Sequence, residues 1–178
     1  MVQGEKGETM TRGKGSAPYA RGDRNRIVEY EGRFARSFIV REKRDRFISF
    51  ASTRFVRRTA SPVGMKRWAR YAQMLSNLEL WLIRRANLSV LTAPNPETER
   101  VLHRLEKLGA SEECYVMSLD RRRDGQFFPL ADALQSCSHG DNHSSLLICC
   151  PESLAYYWHG EVVGASAILW KRSVEGFA

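Results

Sequence analysis

The string Cys137-Ser138-His139-Gly140-Asp141-Asn142-His143 holds the densest chemistry in this 178-residue chain. Thiolate, imidazole and carboxylate at alternate positions all ligate zinc or a similar divalent ion, and His139, Asp141 and His143 form the candidate set, with His103 or His159 as a ligand from elsewhere. A metal there would lower the pKa of a water and orient a phosphate, as in a hydrolase or nuclease. Spacing argues against it. Alternate residues of an extended segment lie roughly 6 to 7 Å apart, so one ion cannot take three in succession unless Gly140 supplies a tight turn. The plainer reading is a polar loop, because Gly, Asp, Asn and Ser form turns for backbone reasons. No cofactor is expected; zinc or another divalent metal is the alternative.

Cys149-Cys150-Pro151 follows the apolar run Leu146-Leu147-Ile148, where a thiol behaves as a small hydrophobe, and no cation or helix start is at hand to lower its pKa. Four cysteines without a Cys-x-x-Cys pair do not suggest a disulfide scaffold. Reduced thiols, the absence of a long apolar run and a polar N-terminus lead to the expectation of a cytoplasmic protein.

A second candidate site is an anion site. If the strands 88–92, 114–119 and 145–150 are parallel neighbours, their carboxyl ends bring together Asn95, Arg121, Arg122, Arg123 and Glu152. Open sheets bind ligands at that edge, and guanidinium groups suit phosphate. No glycine-rich phosphate loop accompanies them.

Charge carries the broadest signal. The net charge is +8, but residues 1–70 hold 18 Lys/Arg against 7 Asp/Glu, net +11, while 71–178 hold 10 against 13, net −3. Clustered cations gain most from a polyanion that sheds counterions on binding. Arginine also stacks on bases and forks to two phosphate oxygens, so Arg21, Arg24, Arg26, Arg33, Arg36, Arg41, Arg54, Arg57 and Arg58 are the candidate nucleic-acid-binding residues. They interleave with Phe34, Phe38, Phe47, Phe50 and Phe55. No RNA-recognition signature, zinc finger or helix-turn-helix accompanies them.

These residues need a scaffold. Residues 1–26 contain five Gly and six Lys/Arg and little to bury, which predicts a flexible basic arm. Short apolar runs from Ile27 to Val56 suggest antiparallel strands, with their arginines opposite their aromatics. Ser61-Pro62 opens a helix over 62–84 along the stripe Trp68, Tyr71, Leu75, Leu78 and Leu82. A second helix carries Val101, Leu102, Leu105 and Leu108 inward and stops at Gly109. Strands at 114–119 and 145–150 flank a short helix from Pro129, and 154–159 with 166–171 reads as an antiparallel hairpin.

The expected fold is therefore α+β: an N-terminal antiparallel β element, a long amphipathic helix and a β-α-β-α-β unit with a C-terminal hairpin. These share one mixed-sheet core, in a single domain spanning 27–178. The function expected first is a non-catalytic nucleic-acid-associated protein, RNA more than DNA, or one that binds another acidic macromolecule. One alternative is a protein-binding adaptor or homodimer using helix 62–84 and the aromatic hairpin with Tyr156, Tyr157, Trp158 and Trp170. The other is a metal-dependent hydrolase using the 137–143 loop.

Overall fold

Ile27, Tyr30, Phe34 and Phe38 recur at steps of three and four, which aligns them along one side of a helix and not of a strand. In the computed structural model, which describes residues 21–53, 62–82, 88–91, 98–138, 145–150, 154–159 and 166–170, they form the buried stripe of helix α1 (Arg21–Phe38). A tight turn at Arg41–Lys43 leads into α2 (Arg44–Thr53), which buries Phe47 and Ala51. The N-terminal antiparallel β element is thus corrected to two helices. β-branched and aromatic residues favour strands only weakly, and here the three-four spacing decides. The arm read as ending at Arg26 gives way to helix at Arg21; its earlier part lies outside the described residues.

Helix α3 (Pro62–Ser76) buries Tyr71, Met74 and Leu75. It stops short of the expected residue 84. Asn77 leaves helical geometry at φ −120°, ψ 35°, its side-chain amide bonding the carbonyl of Gln73, and a short turn at Leu78–Leu80 follows. The apolar stripe continues through buried Leu78 even though the helix does not.

Beyond it come β1 (Leu88–Leu91), α4 (Thr98–Lys107), β2 (Glu113–Ser118), β3 (Gln126–Pro129), α5 (Leu130–Ser138), β4 (Ser145–Cys150), β5 (Leu154–Trp158) and β6 (Ser166–Trp170). α4 turns Val101 and Leu105 inward and ends at Gly109, whose φ of +88° suits glycine. The six strands form one sheet in the order β1-β6-β5-β4-β2-β3, and every pairing is antiparallel. The expected mixed sheet is therefore corrected: β1 and β2 run the same way but are separated by β6, β5 and β4. The β5–β6 hairpin stands as expected, and the fold class is α+β.

Both faces of the sheet are covered. Tyr115, Met117, Leu146, Ala155, Tyr157 and Leu169 pack beneath α1, α2 and α3. Cys114, Val116, Leu154, Tyr156 and Ile168 pack against α4 and α5. Strands buried on two faces read as unbroken apolar runs, the pattern more usual of parallel sheets, and this explains the parallel expectation.

Three buried tyrosines tie the helical layer to the rest. The hydroxyl of Tyr115 on β2 donates to Glu31 Oε1 of α1 at 2.6 Å, and that of Tyr157 on β5 to the carbonyl of Leu75 on α3 at 2.9 Å. Tyr71 on α3 donates to Asp124 Oδ1, in the turn after β2, at 2.6 Å. Leu75 lies in the last turn of its helix, where carbonyls lack helical partners, so Tyr157 also satisfies that end. Among the described residues no helix is long and apolar enough to cross a membrane.

Candidate nucleic-acid interface and adjoining cavity

The outward side of α1, α2 and α3 carries the excess charge. Arg24, Arg36, Arg41, Arg46, Lys66 and Arg70 are exposed there. Not every arginine expected to bind is available. Arg26 pairs with Glu113 and lies 3.9 Å over the ring of Phe127, so it pins α1 to the β2–β3 hairpin. Arg33 pairs with Glu29 one turn away on α1. Arg24, Arg36 and Arg41 have no ion-pair partner among the described residues. Arg21 opens α1; Arg54, Arg57 and Arg58 lie outside the described residues.

Two half-buried tryptophans sit among the cations. Trp81 packs edge-on against Phe50 at 5.9 Å, with Lys43 Nζ and the Arg46 guanidinium each 5.6 Å from its ring. Trp68 on α3 has the guanidinium of Arg121 5.1 Å over its ring, with Arg67 and Arg70 within a turn on the same helix. The expectation missed these pairings because the partners are far apart in sequence, although Lys66, Arg67 and Arg70 belong to the same net-positive segment.

The antiparallel register gathers the other candidates at one end of the sheet. Ser118 pairs with Ser145, Ser145 with Trp158, Trp158 with Ser166 and Ser166 with Leu91, so all five strands reach the same edge. The turn Asp120–Gly125 with Arg121, Arg122 and Arg123 stands there. The segment carrying His139, Asp141 and His143 ends at Ser145 on this edge, and the one carrying Asn95 leaves β1 from it; these four residues lie outside the described residues. Glu152 was expected to join them, but β4 runs the other way and ends at Cys150, at the far edge. The parallel arrangement that was to bring Glu152 to this edge is therefore corrected. Arg121 stacks on Trp68, Arg123 approaches Asp120 at 3.7 Å, and Arg122 is exposed.

The turn is held from below. Asp124 is buried, and its Oδ1 accepts from Tyr71 and from the backbone N–H of Ser118 at 3.1 Å. Ser118 Oγ in turn accepts from the N–H of Asp120 and lies 2.9 Å from Ser145 Oγ. Gly125, at φ +75°, closes the turn in a conformation that other residues rarely adopt.

Beneath it, between the sheet and α5, lies a cavity of about 250 Å³. Val116, Phe128 and Ala133 supply its apolar wall; Arg123, Asp132, Ser136 and Ser145 supply polar groups. Cys137 also lines it, and Cys114 lies in the same apolar cluster. Burial pushes the Cys114 thiol well above its ordinary pKa, with the neighbouring Cys137 and Glu113 adding to the effect. Only the thiolate is nucleophilic. Cys114 should therefore react with a thiol reagent at pH 7 at least about a hundredfold more slowly in the folded protein than in urea; equal rates would show that the site opens freely.

No group of three His, Cys, Asp or Glu side chains among the described residues is placed to hold a metal ion. Tyr156 and Tyr157, expected to form a protein-binding surface, are instead buried between the sheet and its two helical layers. Compared with protein-family models, curated proteins and solved structures, the chain matches none.

Proposed function

We propose that this is a non-catalytic nucleic-acid-associated protein that binds single strands, RNA in preference to DNA, along the outward side of α1–α3 and the Arg121–Arg122 turn. The observation that carries the reading is the company the cations keep. Exposed arginines lie beside and over two half-buried tryptophans, so the helical layer combines cations for phosphate contacts with guanidinium–indole pairs whose planar guanidinium groups can stack on bases. A purely solubilising charged surface has no need of aromatic rings beneath the guanidinium groups. The Tyr115, Tyr157 and Tyr71 bonds hold this layer rigidly on the sheet, which keeps the ordering cost of binding low.

The test is direct titration of a single-stranded RNA homopolymer into the purified protein at low and at high salt. Binding at low salt that weakens steeply as salt rises supports the reading, and absence of binding at low salt removes it.

A further inference from the structure

The ion pair between Arg26 and Glu113 joins α1 to the β2–β3 hairpin at the protein surface. Both side chains stay open to water, 43 % and 45 % exposed, so the pair itself adds little stability and an anion from solution can reach the guanidinium. The guanidinium is also held independently of that pair. It lies 3.9 Å over the ring of Phe127 and 5.6 Å from that of Tyr30, and the two rings meet edge to face at 5.3 Å. Tyr115, whose hydroxyl is fixed on Glu31, packs against both rings, so the platform beneath Arg26 is rigid. Stacking uses the flat face of a guanidinium and leaves its N–H edge for hydrogen bonds. Glu113 occupies that edge.

A carboxylate and a phosphate offer arginine the same kind of oxygen fork. Glu113 therefore stands where a phosphate would, on an arginine of the helix that opens the proposed surface. The β3 strand, which carries Phe127, leaves the Arg121–Arg122 turn directly, so the platform adjoins that surface. We propose that Arg26 is a further phosphate-binding residue and that Glu113 is its internal competitor, a latch displaced when a nucleic-acid phosphate takes the guanidinium. On release the ring stack keeps Arg26 in position, so binding adds little ordering cost. The freed carboxylate returns to water, which its exposure permits. The latch rests on the nucleic-acid reading and adds to it a built-in restraint on affinity.

The test is Glu113→Gln in the full chain, which keeps the size of the side chain and removes its charge. Polyuridine, titrated at several salt concentrations, should bind about threefold to tenfold more tightly at low salt, and the slope of log affinity against log salt should steepen by about 0.7, the share of one phosphate on a single strand. Glu112→Gln removes the same charge from the adjacent, exposed residue and controls for net charge; it should leave the slope unchanged and give less than about half of the gain. In an Arg26→Gln background, Glu113→Gln should bring no more than that control does, because the residue it frees is gone. No tightening in Glu113→Gln, an equal tightening in Glu112→Gln, or a full gain that survives in Arg26→Gln would each overturn the latch. With the parent still binding polyuridine, those results leave the surface standing and reduce the pair to a fastening of α1. If neither the parent nor Glu113→Gln binds polyuridine at low salt, the nucleic-acid reading itself falls, and the latch with it.

Discussion

Asp124→Ala should destabilise the protein by about 3 kcal/mol, read as a lower urea midpoint at unchanged slope. The carboxylate is 5 % exposed and accepts from the Tyr71 hydroxyl at 2.6 Å and the Ser118 N–H at 3.1 Å. Truncation removes the acceptor that both buried donors share, at roughly 1 to 3 kcal/mol for each bond lost, offset by the relief of no longer burying a carboxylate. Tyr71→Phe removes one donor and keeps the ring in place, so about 1 to 1.5 kcal/mol is expected. Asp120→Ala, on a partly exposed carboxylate 3.7 Å from Arg123 whose Oδ1 accepts from the exposed backbone N–H of Arg122 at 2.9 Å, should cost less than Asp124→Ala, about 1 kcal/mol. If Asp124→Ala lies within about 0.5 kcal/mol of the parent, the turn is not anchored as described. The same bonds fasten the Arg121–Arg123 turn to α3, so Asp124→Ala should also weaken nucleic-acid binding without touching a phosphate-contacting group.

The second large effect concerns charge. Arg36→Glu, Arg41→Glu and Arg70→Glu together should lower affinity for single-stranded RNA by about 10²- to 10³-fold at low salt, since each reversal replaces a phosphate attraction with a repulsion. These three side chains are exposed and have no ion-pair partner among the described residues, so the fold should lose little stability. Reversal of Arg100, exposed on α4 across the sheet, is the control and should cost far less affinity, because it changes the long-range field but removes no phosphate contact of the helical layer. Arg26→Glu would be a poor choice for this purpose: it breaks the Glu113 pair and the contact with Phe127, mixing stability with binding.

Local signals in the chain proved readable and long-range ones did not. α4 could be placed from Val101, Leu105 and Gly109, and the β5–β6 hairpin from two apolar runs around glycines, because each depends on neighbours in sequence. α1 was misread through its Phe and Ile content, although the stripe Ile27, Tyr30, Phe34, Phe38 stands at helical spacing in the same residues. Strand direction was not accessible, since β2 and β5 are covered on both faces and read alike in either orientation. The arginine turn was visible as composition. The cavity was not: Arg123, Asp132 and Ser145 come from a turn, a helix and a strand that only the register of β2 with β4 brings together. Trp68 stood on the core stripe of its helix, and nothing local indicates that Arg121 lies over its ring or Arg46 near that of Trp81.

The measurement that bears most directly on the central claim is the slope of log affinity against log salt concentration for a single-stranded RNA homopolymer. With four to six cations of the helical layer and the arginine turn meeting phosphates, the slope should be about −3 to −4, and about two to three units shallower in the triple charge-reversed protein. A slope near zero, or one that the reversals leave unchanged, would contradict a phosphate-binding surface on α1–α3.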